Sequence, residues 1–337
     1  MTRQRCDWGY LFITGSLRAM EALRVTGAIL DRMAKSRSTA EALEHLAATY
    51  YRDFLARLTG PGDYRSMLEA RRKWFLDFID AAAPDYGPGA FFRIGFDYHN
   101  IKVLLKEKIF ETGRMTAMAG LGTIPETTMT ALFESEGYSD LPECMADAVG
   151  AAVEAYYTSR DPLVIDCVAD RFLFEDIRRR AMATGSSFII THYRTLADLT
   201  NFHSFLRSRG IAGDSAALKE LYVPGGFIEI DFFKKLSPGD IRALEDHARR
   251  YGYEGISRGI PEFENNPFAV EHEIENTLAE QLESARFLIG GIEPLFAFGK
   301  ETELELSILG AILAGLDRGM KPEAIAGRLP SRFRSTG

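Results

Sequence analysis

A ten-residue pattern is written twice in this chain of 337 residues, about one hundred positions apart. The first copy is Asp97-Tyr98-His99-Asn100-Ile101-Lys102-Val103-Leu104-Leu105-Lys106. The second is Asp198-Leu199-Thr200-Asn201-Phe202-His203-Ser204-Phe205-Leu206-Arg207. Both read Asp-x-x-Asn, an apolar residue, His or Lys, any residue, an apolar residue, Leu and a base. A degraded third copy starts at Glu303, a similar distance further on. Repetition at a fixed period constrains a fold more than any single motif, because each unit must pack against its neighbours. It predicts one helical unit used three times, with boundaries near 1–113, 114–212 and 213–337.

The apolar pattern agrees with helices. Ile308, Leu309, Ile312, Leu313 and Leu316 fall on one stripe of 3.6-residue period, and Ile241, Leu244, Ala248 and Tyr251 on another. Ser38-Thr39-Ala40-Glu41 reads as a capping box. Ser237-Pro238-Gly239-Asp240 reads as a cap, a first-turn Pro and a first-turn carboxylate. Gly113, Gly210, Gly252 and Gly319 stand where helices are expected to stop. Residues 1–60 and 163–223 lack proline, room enough for pairs of long helices. One alternating stretch, Gly226 to Asp231, is too short and isolated to count as a sheet. The expected class is all-α.

Charge narrows the function. The net charge is −8, against nucleic acid as a partner, which needs a basic surface. Three cysteines (Cys6, Cys144 and Cys167) without a Cys-x-x-Cys fit a reducing compartment. The longest apolar, uncharged run, Leu306 to Leu316, is about half of the roughly 20 residues of a membrane span. A cytoplasmic protein is expected, able to sit on a membrane through a partner.

Catalytic and cofactor motifs fail one by one. Gly299-Lys300 is followed by Glu301 and has Pro294 where a phosphate loop needs its first Gly. Gly120-Leu121-Gly122 lacks the third Gly of a dinucleotide turn. No histidine has Glu three residues before it, as di-iron helices require, and His272-Glu273 lacks the second His of a zinc helix. No catalytic residue, metal ligand or cofactor is assigned. Asp97, Asn100, Asp198 and Asn201 could start helices as caps, or form buried polar pairs that fix how helices dock. An acid–base pair of the two Asp is the third option. A repeat disfavours it, placing each Asp in its own equivalent unit.

Read in order, further segments resemble the C subunit of V/A-type rotary ATPases, the relative of the eukaryotic V-ATPase d subunit. They are Leu17-Arg18-Ala19-Met20-Glu21, Phe96-Asp97 to Lys102, Gly122-Thr123-Ile124-Pro125, Ala197-Asp198 to Asn201, Val223-Pro224-Gly225-Gly226, Gly291-Ile292-Glu293-Pro294-Leu295, Glu301-Thr302-Glu303 and Pro322-Glu323-Ala324-Ile325. The family's Asn-Leu-Arg after Glu-x-Glu is replaced here by Leu306-Ser307-Ile308. The resemblance implies three related helical subdomains in a pseudo-threefold, funnel-shaped arrangement. It also implies a non-catalytic central-stalk protein that joins the shaft (subunits of D and F type) to the membrane proteolipid ring, for proton or sodium transport driven by or forming ATP. The competing expectations are a helical enzyme with a pocket between the repeats and a stand-alone helical adaptor.

Overall fold

A computed structural model describes residues 8–83, 87–111, 118–208, 221–236 and 240–330. Cys6, Gly113, Gly210, Ser237 to Gly239 and the expected boundaries at 113 and 212 lie outside the described residues. Within them, every regular element is a helix. The stretch from Gly226 to Glu229 is irregular and leads into a short helix, so its alternation is not that of a strand.

By contacts the chain divides into two units, one of residues 1–88 with 262–337 and one of residues 89–261. The first contains α1 (Trp8–Glu21), α2 (Gly27–Ala34), α3 (Thr39–Glu44), α4 (Arg52–Leu55) and α5 (Tyr64–Ala82) from the N-terminal part. The second begins within α6 (Gly87–Phe110). It continues with α7 (Glu126–Glu134), α8 (Glu143–Ser159), α9 (Leu163–Thr184), α10 (Ser187–Ser208), α11 (Ile230–Lys235), α12 (Ile241–Arg250) and α13 (Glu254–Gly259). The first unit resumes with α14 (Phe268–Glu283), α15 (Ile292–Asp317) and α16 (Pro322–Gly327).

In the first unit the C-terminal stripe does what its period requires. Ile308, Leu309, Ile312 and Leu313 of α15 are buried in one cluster with Leu30, Met33, Leu43, Met67 and Ile325. Apolar burial of this kind is worth about 25 cal/mol per Å2 removed from water. Helix α15 tolerates Pro294 because the first turn has no intrahelical partner for that N–H. It stops at Gly319, where φ is +65°, and the Met320 N–H closes onto the Gly315 carbonyl at 2.9 Å. Among the described residues of the proline-free segment, 8–60, stand four short helices, not a long pair. The reason is local: Thr26 and Ser38 each cap a new helix, accepting from the N–H of Ile29 and of Glu41. Glu41 completes the capping box by accepting from the N–H of Arg37, one residue before the cap, at 2.8 Å.

In the second unit the proline-free segment does hold two long helices, α9 and α10, separated at Gly185 (φ +66°). The core gathers Ile94, Tyr98, Ile101 and Leu105 of α6 with Met129, Met145, Val149, Ile165 and Val168 of the three helices that follow. Lys102 and Lys106 pair with Asp170 and Asp166 at 2.8 and 2.7 Å, tying α6 to α9 along the surface. Helix α12 begins with Asp240 itself as the cap, accepting from the Ala243 N–H at 3.2 Å. Leu244 and Ala248 carry its buried face, while Tyr251 is 41% exposed.

Candidate functional site

Asp97 and Asn100 lie in the middle of α6, and Asp198 and Asn201 in the middle of α10, so none of them caps a helix. All four are at most 3% exposed. A polar side chain in so dry a place needs partners, and in both copies it finds them on the backbone of the segment that follows its helix.

In the first copy Asp97 accepts from the N–H of Thr123 at 2.9 Å, the Thr123 hydroxyl at 2.6 Å and the N–H of Ile124 at 3.0 Å. Asn100 grips Ala119 from both sides: its Nδ2 donates to the carbonyl at 3.0 Å and its Oδ1 accepts from the N–H at 2.8 Å. In the second copy Asp198 accepts from the N–H of Phe227 and of Ile228, both at 3.0 Å, and from the Tyr253 hydroxyl at 2.8 Å. Asn201 grips Val223 in the same two-sided way, at 2.8 and 2.7 Å. Each Asp–Asn pair is thus a clamp on the loop that leads into the next helix.

Two more residues belong to each clamp. Arg93 and Arg194, each four positions before its Asp, donate to the carbonyls of Leu121 (3.1 Å) and Gly226 (3.0 Å). Gly122 and Gly226 pass so close that an added Cβ would stand 2.2 and 2.0 Å from a carboxylate oxygen of Asp97 and Asp198. Both glycines, therefore, are needed for close approach. Equal spacing of the arginines in the two copies was the signal in the sequence that marks them.

Burial raises both carboxyl groups above the usual carboxylate range, and the donated N–H and O–H groups pull them back down. Tyr253, donating to Asp198, is itself pushed up, first by burial and then by that charge. Both oxygens of each Asp are occupied by donors, and no donor is shared between the two. The arrangement holds backbone: three donors converge on each carboxylate, two of them main-chain N–H groups.

Glu303 sits differently. It pairs with Lys300 at 2.9 Å in a position 39% exposed at the side chain. Two residues on, Glu305 of α15 is half-buried, with its carboxylate among donors. It accepts from the hydroxyls of Tyr50 and Tyr51, the latter at 2.8 Å, and from the N–H of Val25 at 3.4 Å. Burial raises it, against these donors and the nearby Arg71 charge. Which of two glutamates two residues apart turns inward is set by packing, and the sequence alone does not mark it. Among the described residues no group of three or more His, Cys, Asp or Glu is placed to hold a metal, and no helix is long and apolar enough to cross a membrane.

These features define an all-helical protein whose repeated polar residues serve its own backbone. Residues 13–328 match the sequence profile of the ATP synthase (C/AC39) subunit family, and the chain belongs to that family. It is similar to the A-type ATP synthase C subunit of Desulfurococcus sp. (strain SY), with 22% identity over 333 residues, 94% of this chain and 89% of the relative. The A-type ATP synthase C subunit of Thermococcus onnurineus (strain NA1) is 22% identical over 335 residues, 94% of this chain and 88% of the relative.

Proposed function

We propose that this chain is a non-catalytic central-stalk component of a V/A-type rotary ATPase. It couples the shaft, made of D- and F-type subunits, to the membrane proteolipid ring. It works in the cytoplasm, peripheral to the membrane through the complex, in proton or sodium transport driven by or forming ATP. Membership of the family and the names of the similar proteins support this reading.

One observation carries it furthest. Three long helices, α6, α10 and α15, each send a carboxylate into a segment elsewhere in the chain: Asp97 to 123–124, Asp198 to 227–228, and Glu305 to Val25 and Tyr50–Tyr51. Such repeated pinning supports a scaffold built from three related helical subdomains. A part that transmits torque must be stiff, and packed helices pinned by buried polar clamps have few soft joints.

Affinity purification of the tagged chain from native membranes tests the role. Shaft and proteolipid subunits are expected in fixed ratio to the chain. Recovery of neither, from membranes that contain the intact enzyme, contradicts it.

A further inference from the structure

The first unit holds a cavity of about 950 Å3, bounded by the end of α1, the segment around α4 and one face of α5. Its wall includes Arg71, a residue only 1% exposed. All three guanidinium nitrogens of Arg71 lack a hydrogen bond of ordinary geometry. A buried guanidinium carries five N–H donors; the Tyr50 hydroxyl lies close enough to interact with one of them, and leaving the others unused is exceptional in a folded protein. Glu305, whose carboxylate feels the Arg71 charge, has its oxygens engaged by Tyr50, Tyr51 and Val25 and forms no direct bond to it. Arg71 instead faces aromatic rings, 4.4 Å from the centroid of Tyr50 and 4.8 Å from that of Trp74. Those contacts stabilise the charge and leave most of its fork without an acceptor.

The rest of the cavity suits an amphiphilic anion. Arg52, Arg57 and Lys73 line it against two carboxylates, Asp53 and Asp77, the latter paired with Lys73 at 2.9 Å. The balance is positive in a chain whose net charge is −8. Trp74, Phe54 and Leu23 supply the apolar surface. Trp74 is 41% exposed and stacks on Phe78 outside the core, and a ligand reaches Arg71 only by displacing part of that indole.

We propose that this cavity binds a phosphate monoester with an apolar body. The phosphate oxygens take the Arg71 fork in a bidentate pair, and the body lies along Trp74 and Phe54. The reading is independent of the coupling role. Two sources share this chemistry, a soluble aryl or nucleoside phosphate and the headgroup of an anionic lipid.

A Trp8→Phe background leaves Trp74 as the one tryptophan, since the chain has two. Phenyl phosphate is expected to change its emission saturably, with phenol and inorganic phosphate each at least ten-fold weaker. Arg71→Met should weaken phenyl phosphate at least ten-fold. Vesicles of phosphatidylcholine with phosphatidic acid, compared with phosphatidylcholine alone, assign the source: a response to these vesicles at far lower phosphate concentration marks a lipid headgroup, and a response to phenyl phosphate alone marks a soluble ligand. Absence of a saturable response to both phosphate probes overturns the proposal, as does equal affinity in Arg71→Met. Should Arg71→Met not fold, the Arg71 Nε–H signal of the otherwise unaltered chain decides. It must shift with the phosphate probe that binds and not with phenol, and an unmoved signal overturns the proposal.

Discussion

The two clamps of residues 89–261 and the Glu305 locus of the other unit meet the same physical demand in different ways. All three draw a carboxylate of a long helix out of solvent, fully at Asp97 and Asp198 and partly at Glu305. Asp97 and Asp198 satisfy theirs mainly with backbone N–H groups of a loop. Glu305 satisfies its own mainly with two tyrosine side chains. A clamp on backbone leaves most loop side chains free to vary but demands a glycine where the chain passes over the carboxylate. A clamp on side chains demands those side chains and places no such demand on the backbone. The copy that lost Asp-x-x-Asn therefore keeps a partly buried charge while changing what the surrounding sequence must contain.

The largest effects should come from deleting the carboxylates. Asp198→Ala leaves Phe227 N–H, Ile228 N–H and the Tyr253 hydroxyl buried without an acceptor, and should cost about 3–5 kcal/mol in urea denaturation. Glu305→Ala should cost as much, because it also leaves the Arg71 charge uncompensated. A cost below about 1 kcal/mol in either would break the parallel between the loci.

Glycine and tyrosine substitutions separate the two solutions. Gly122→Ala and Gly226→Ala drive a Cβ into a carboxylate oxygen and should cost about 2–3 kcal/mol, read as a lowered thermal midpoint. Tyr51→Phe at the Glu305 locus should cost roughly 1–2 kcal/mol. If both glycine variants were neutral, the backbone clamp would not be the constraint described.

The smallest effect concerns pH. At Asp97 and Asp198, burial is opposed by donors. At Glu275 of α14, burial and then the neighbouring Glu271 charge both push upward, from 4.5 to about 7. The folded state therefore holds this proton more tightly than the unfolded chain. Its contribution is fully present below about pH 4.5 and is lost as pH rises through about 7. After discounting for solvent screening, Glu275→Gln should raise stability by about 1 kcal/mol at pH 8 and leave it unchanged at pH 4. An equal change at both pH values would contradict the assignment.

Much of this was legible before any coordinates. Periodicity marks the buried stripe of α15, and the doubled Asp-x-x-Asn marks two equivalent loci. Their partners were not, because Ala119, Thr123, Val223 and Phe227 contribute backbone groups that every residue type carries. Glu305 was missed for Glu303 because both lie on one helix two residues apart, and only the positions of Tyr50 and Tyr51 distinguish them. The lack of proline in 1–60 leaves room for a pair of long helices. Capping by Thr26 and Ser38 governs the segment instead.

We infer that the repeated carboxylates hold the scaffold together and take no part in chemistry. An ATPase complex carrying Asp97→Asn and Asp198→Asn, with ATP turnover measured per assembled complex, should show less assembled complex and unchanged turnover in what does assemble. Full assembly and stability with turnover lost would contradict it.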